Sequence, residues 1–133
     1  MKDFRQLVVW EKAHVFTKDI YNSLSNFPKD EIYGLTSQLK RATISIPTNI
    51  AEGCGRGSDA DFKRFIHIAF GSASEVEYLI FLSYELSFID QENYTRLNNQ
   101  INEIKKMLAG LINKLKANSS EQIAHSNQLK DKR

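Results

Sequence analysis

Tyr94, Leu97, Ile101, Ile104, Leu108, Leu111 and Leu115 recur at alternating spacings of three and four residues. That alternation puts all of them on one stripe of an α-helix and leaves the remaining faces polar, as in a helix packed lengthwise against others. The chain has 133 residues, so one domain is the natural count. It shows neither an internal repeat nor a strand-like alternation of any length.

Three further helices are read upstream. The first runs from about Leu7 to Asn26, with Leu7, Trp10, Ala13, Thr17, Ile20 and Leu24 on its inner face. Ser25, Asn26 and Pro28 end it, and Asp30 is expected to cap the second helix. That helix runs from about Glu31 to Cys54 through Ile32, Leu35, Leu39, Ala42 and Ile46, with a kink expected at Pro47. The third opens at Ser58, with Asp61 in capping-box position, and reaches about Ser87. The fourth, which carries the opening stripe, runs from Asp90 to about Ala117. Short connections between long helices predict an all-α, antiparallel up-down-up-down four-helix bundle over residues 1–118. Residues 119–133 are polar and aperiodic and are expected to be a disordered tail.

The third helix is more apolar than one buried face requires: Phe62, Phe65, Ile66, Ile68, Phe70 and Val76 are followed by Tyr78, Leu79, Ile80, Phe81 and Leu82. Such a surplus predicts that a second chain covers it, so self-association is expected. No run reaches the ~18 apolar residues of a membrane span, and the N-terminus has no signal-peptide pattern. The single cysteine, Cys54, excludes an internal disulfide framework. These features suit a cytoplasmic protein without a membrane partner.

Residues 41–57 break the apolar pattern with small, polar and turn-forming residues. Arg41, Ser45, Asn49 and Glu52 share one helical stripe, and Ser72 and Glu75 of the third helix can face it in an antiparallel pair. One reading is a buried polar network that fixes helix register, with Arg41 satisfied by Glu75 or Glu52. The other is an anion or small-molecule pocket. Gly53, Gly55 and Gly57 follow a helix and lack the Gly-Lys-Ser/Thr ending of a phosphate loop, so they read as a turn with positive φ.

His14, His67 and His125 are scattered and no His-Glu-x-x-His motif occurs, so no metal or other cofactor is expected. Arg64 and His67 are too closely spaced for the Arg/His pair of HEPN-type helical RNases, and His67 reads as structural. Arg56 and a nearby helix start are the features that would lower the Cys54 pKa, but no paired base accompanies that thiol. No catalytic residue emerges, and a non-enzymatic protein is expected. The remaining lead is basic: Lys40, Arg56, Lys63 and Arg64 flank the turn between the second and third helices. The net charge is only +2, so a phosphate-binding field would rely on an oligomer repeating this patch.

Phe4-x-x-Leu7-x-x-Trp10-Glu-Lys-Ala13, Glu31-x-Tyr33-Gly34-Leu35, Ser45-Ile46-Pro47-x-Asn49-Ile50-Ala51-Glu52-Gly53 and Phe65-x-x-Ile68-Ala69-x-Gly71-Ser72-x-x-Glu75 follow one another in this order. Together they resemble the family named after proteins encoded in 23S rRNA intervening sequences, also labelled S23 ribosomal protein. The resemblance covers about Phe4 to Leu115. It implies a four-helix bundle assembled as a homopentameric ring. A related branch, the accessory variability protein of diversity-generating retroelements, implies nucleic-acid binding through basic surfaces and a reverse-transcriptase partner. This chain differs from that branch in its near-neutral charge. The function expected is a homo-oligomeric bundle that binds RNA or DNA, the alternatives being an adaptor for a protein partner and a small-molecule pocket on the second helix.

Overall fold

In the computed structural model, which describes the backbone of residues 2–131 and the side-chain surroundings of residues 2–118, four helices succeed one another. They are α1 (Val8–Leu24), α2 (Leu35–Cys54), α3 (Asp59–Glu85) and α4 (Gln91–Asp131). One-turn 3-10 helices precede α1 (Phe4–Gln6) and α2 (Lys29–Glu31). No strand occurs among the described residues. Two of the expected caps form. Ser58 Oγ accepts from the Asp61 N–H at 3.2 Å, and Asp90 Oδ1 accepts from the Asn93 N–H at 2.8 Å.

The start of α2 differs from its expected place. The chain between Pro28 and Gly34 forms a 3-10 turn, and Ile32 is exposed rather than on the inner face. Glu31 rather than Asp30 holds the helix start, its Oε2 accepting from the Leu35 N–H at 2.9 Å. At the other end of the chain, α4 continues past Ala117 to Asp131. Between Gly110 and Asp131 no proline or glycine interrupts it, and Ala, Glu, Gln, Leu and Lys favour helix. The expected tail at 119–133 lies outside the residues whose side chains are described.

Each helix packs against its neighbours in sequence and α4 closes onto α1, with no close backbone approach between diagonal helices among the described residues. The section is therefore a square, with the α2/α3 side opposite the α1/α4 side. The core comprises Phe16 and Ile20 of α1, Leu39, Ile46 and Ile50 of α2, Phe62, Ile66, Ala69 and Val76 of α3, and Leu97, Ile101, Ile104 and Leu108 of α4. On α1 the deepest line is Val9, Ala13, Phe16, Ile20 and Leu24. Trp10 flanks it, half-buried, stacked on His14 with ring centroids 4.9 Å apart.

The glycines at the α2–α3 junction do not need positive φ, contrary to expectation; no described glycine has it. Gly53 lies inside α2, where a Cβ would come within 2.9 Å of Phe65 Cβ and 3.1 Å of Phe62 Cδ1. It is there because α2 and α3 approach too closely for a side chain. Helix α2 continues through Pro47, which is buried. Pro47 has no N–H to offer the Thr43 carbonyl one turn earlier.

Helix α3 is long and apolar enough, by length and composition, to cross a membrane, which the apolar runs of the sequence did not lead one to expect. Within the bundle it is held between α2 and α4, and Glu75 and Glu77 lie midway along it. Its outer surface still exposes Ile68, Tyr78 and Phe81.

Candidate nucleic-acid interface and polar seam

The six residues expected to form one polar network separate into two groups. Ser45, Asn49 and Ser72 are half-buried and joined. Ser72 Oγ donates to Ser45 Oγ across the α2/α3 interface at 2.8 Å, and Asn49 Nδ2 donates to Ser45 Oγ at 2.9 Å and to the Ser45 carbonyl at 2.8 Å. Arg41, Glu52 and Glu75 are exposed. Among the described residues Arg41 and Glu75 make no ion pair, and Glu52 pairs instead with Arg56 at 3.7 Å. The physical reason is direction. The hydroxyls and amide turn along the helix–helix seam, whereas the charged side chains extend from its outer rim into water. The joined group is neutral and has no acid or base within it. It ties α2 to α3 through the Ser72–Ser45 hydrogen bond.

Of the four basic residues expected to act together, Arg56 and Arg64 share one aromatic contact. The guanidinium carbons of Arg56 and Arg64 lie 4.9 and 4.5 Å from the centroid of the same Phe65 ring, with Lys63 adjacent in sequence to Arg64. Lys40 stands apart. It is sixteen residues before Arg56, about 24 Å at 1.5 Å per helical residue, and its ammonium lies 5.3 Å over the Tyr21 ring.

The N-terminal segment adds two cations that spacing along the sequence did not bring to this end. The Lys2 N–H donates to the Cys54 carbonyl at 3.0 Å, which brings Lys2 and Arg5 to the α2–α3 end. Lys2 lies 4.5 Å over the Phe62 ring and 3.5 Å from Asp59. No sequence signal connects residue 2 with residue 54, because the link is a backbone hydrogen bond. Nearly every cation at this end has a carboxylate partner: Arg5 with Asp3 at 3.9 Å and Arg64 with Asp61 at 3.6 Å, besides the Lys2 and Arg56 pairs. Lys63 has none among the described residues.

Cys54 is buried beneath this end. Burial pushes its thiol above the ordinary 9.0, Lys2 opposes that shift, and Asp3 adds to it. The direction is opposite to the lowering expected from Arg56 and the nearby helix start, because desolvation of the thiolate is the largest influence and outweighs the one opposing charge, Lys2. His67 is exposed rather than held between apolar neighbours. No cluster of three or more His, Cys, Asp or Glu residues suited to a metal ion occurs among the described residues.

The fold and its hydrogen-bonded α2/α3 seam define a four-helix bundle in which the Ser-Ile-x-x-Asn-Ile-Ala-Glu-Gly segment is a packing element. Residues 5–110 match the model of the 23S rRNA-intervening sequence protein family, and the chain belongs to that family. Among solved structures it is similar to a protein with unknown function from the S23 ribosomal protein family of Bacteroides thetaiotaomicron VPI-5482. The two share 33% identity with a TM-score of 0.72, over 79% of this chain and 98% of the other. No curated protein matches the sequence.

Proposed function

We propose that this protein is a non-enzymatic, cytoplasmic scaffold that assembles into a homo-oligomeric ring, with five copies as the expected number, and binds RNA or DNA phosphates at the α2–α3 end. The observation that carries the binding reading is the pair of guanidinium groups, Arg56 and Arg64, held on one Phe65 ring. Stacking on the ring limits how far each arginine wanders and leaves its N–H edges available to an anion. The competing Glu52 and Asp61 contacts are exposed and longer than a good charge-assisted hydrogen bond, at 3.7 and 3.6 Å. Pairs of that kind are worth about 0–1 kcal/mol, so phosphates can displace the carboxylates. A ring repeats the patch in each copy, which compensates for the low charge of one chain. The family's link to 23S rRNA intervening sequences points in the same direction.

Fluorescence anisotropy with structured RNA, single-stranded RNA and duplex DNA at about 50 and 200 mM salt tests this reading. Binding should weaken steeply with salt, by about 0.9 log unit per log unit of salt for each duplex phosphate contacted. Arg56→Glu with Lys63→Glu should abolish it and leave the assembly intact. An assembled protein that binds none of the probes at the lower salt would favour a protein adaptor. That second reading has its own support: Lys2, Arg5, Arg56 and Arg64 each already face a carboxylate.

A further inference from the structure

We infer that the α1–α2 corner, at the far end of the bundle from Arg56 and Arg64, binds a small anion, a carboxylate or phosphate, that carries an apolar body. The inference is independent of the nucleic-acid reading.

A pocket of about 330 Å³ opens where α1 ends and α2 begins. Thr36, which lines it, and Cys54 are eighteen residues apart on α2, about 27 Å at 1.5 Å per helical residue. The volume is at the small end of the range for ligand sites. Buried Leu24 and Phe27 supply apolar lining, and Ile32, 56% exposed, adds to it. The 3-10 turn at Lys29–Glu31 leaves Ile32 at this corner rather than in the core.

Thr36 gives the pocket a directional group. The buried polar residues among those described are Thr36, Thr43 and Ser83. The Ser83 hydroxyl donates to the Leu79 carbonyl at 2.7 Å, and Thr17 and Ser23 also use the carbonyl four residues before them. Thr43 is sealed in the core. Thr36 is only 8% exposed, and its hydroxyl makes no hydrogen bond among the described residues, but it lines the pocket. It stands in the first turn of α2, so the residue four before it, Ile32, lies outside the helix. A buried hydroxyl without a partner is costly, and an acceptor in the pocket relieves that cost. The start of α2 also contributes the partial positive charge of a helix N-terminus.

The charges favour the same ligand. Lys29 and Lys40 both line the pocket, and neither has an ion pair among the described residues. Lys40 is one helical turn beyond Thr36, and its ammonium lies 5.3 Å from the centroid of the Tyr21 ring. No carboxylate lines the pocket. Glu31 is turned to the Leu35 N–H at 2.9 Å. The Ser25 hydroxyl gives its proton to the Asn22 carbonyl at 2.9 Å. The donors left for a ligand are therefore the Thr36 and Tyr21 hydroxyls and the two ammonium groups. A bare phosphate would leave Ile32 in water, and a neutral apolar ligand would leave Thr36 and the lysines without an acceptor. An anion with an apolar body answers both.

The probes are phenyl phosphate and phenylacetate, with benzyl alcohol and inorganic phosphate as controls. Amide shifts of the isotope-labelled full chain should change at Ile32, Thr36 and Lys40 with at least one probe, and the tighter probe identifies the anion. Each control lacks one half of the ligand and should bind at least about tenfold more weakly. Thr36→Val should weaken the probe about fivefold, as fits one lost hydrogen bond. Lys40→Met should weaken it about tenfold. Circular dichroism melts check that the variants fold. If either does not, Lys29→Met, at an exposed position, carries the same tenfold expectation. The absence of shifts up to about 5 mM overturns the site, since that is the weakest affinity expected for a probe of about ten non-hydrogen atoms. A control that binds as tightly as the probes also overturns it, as does an affinity indifferent to the variants. Shifts at Arg56 and Arg64 in place of Thr36 and Lys40 overturn it too. The first three results leave the nucleic-acid reading untouched, and the last supports it.

Discussion

Gly53 of α2 and Phe65 of α3 stand so close that a Cβ on the glycine would fall 2.9 Å from the phenylalanine's Cβ. Neither that atom nor the Phe62 carbonyl, 3.4 Å from the same point, is the free end of a flexible side chain. Gly53→Ala must therefore push the two helices apart at the junction. Alanine gains about 1 kcal/mol in helix propensity, but forced overpacking costs about 1–3 kcal/mol. The clash should prevail, and urea denaturation should show net destabilisation.

Thr43 is fully buried, and its hydroxyl has no hydrogen-bond partner. An unsatisfied buried hydroxyl costs about 1–3 kcal/mol. Thr43→Val replaces it with a methyl group of nearly the same shape and comparable helix propensity. The variant should be more stable by about 1 kcal/mol, read as a higher denaturation midpoint at an unchanged slope.

Arg41 and Ser72 are expected to respond in opposite order to a charge-based ranking. Removing one member of a buried ion pair costs about 3–5 kcal/mol, but Arg41 is exposed and unpaired, so Arg41→Met should change the stability of one chain by less than about 0.5 kcal/mol. Ser72→Ala removes the only side-chain hydrogen bond described between α2 and α3 and should cost about 0.5–1.5 kcal/mol. Melts run at low protein concentration isolate the effect on one chain. Any additional loss for Arg41→Met at high concentration would report the assembly.

The helices and their order were legible because apolar spacing states directly which face is inward. The α4 stripe from Leu97 to Leu108 is core throughout. Spacing also located Ser45, Asn49 and Ser72 on facing stripes of α2 and α3. It could not tell which polar residues turn into a seam and which extend from its rim, so Arg41, Glu52 and Glu75 were grouped with the serines. Nor does spacing distinguish a glycine needed for φ from one needed for proximity, which is why Gly53 read as a turn. The α2–α3 end was the least legible part. The backbone bond from Lys2 to Cys54 brings Lys2 and Arg5 there, and no residue type announces it.

Cys54 makes stability depend on alkaline pH. Its folded thiol is held above the ordinary 9.0 by burial. Below that value both folded and unfolded thiols keep their protons, and the pH has no effect through this group. As pH rises past it, the unfolded chain releases the proton first, so unfolding becomes easier until the folded thiol titrates as well. Urea midpoints should fall as pH rises past 9.0, less steeply in Cys54→Ala than in wild type. The two proteins differ only at this side chain, so the difference between their slopes isolates the thiol. Equal slopes in the two would contradict its burial.

Ser87 occupies a left-handed conformation, with φ of 64°, just after α3. It closes the helix in a Schellman arrangement: the Phe88 N–H donates to the Ser83 carbonyl at 2.8 Å and the Ser87 N–H to the Tyr84 carbonyl at 2.9 Å. The 2.8 Å bond reaches back over the turn and helps bring Phe88 against Phe27, with ring centroids 5.5 Å apart. A left-handed conformation costs a residue with a Cβ about 1–2 kcal/mol, because that atom crowds the following carbonyl oxygen. Glycine escapes the crowding but loses more backbone entropy on folding, about 0.5–1 kcal/mol. The two terms leave Ser87→Gly ahead by up to about 1.5 kcal/mol, and the melting temperature should rise by several degrees. Ser87→Val should lower it, since a β-branched side chain tolerates positive φ least. If serine and glycine give equal melting temperatures while valine lowers them, the crowding and entropy terms cancel at this position. If valine also has no effect, the left-handed closure of α3 is wrong.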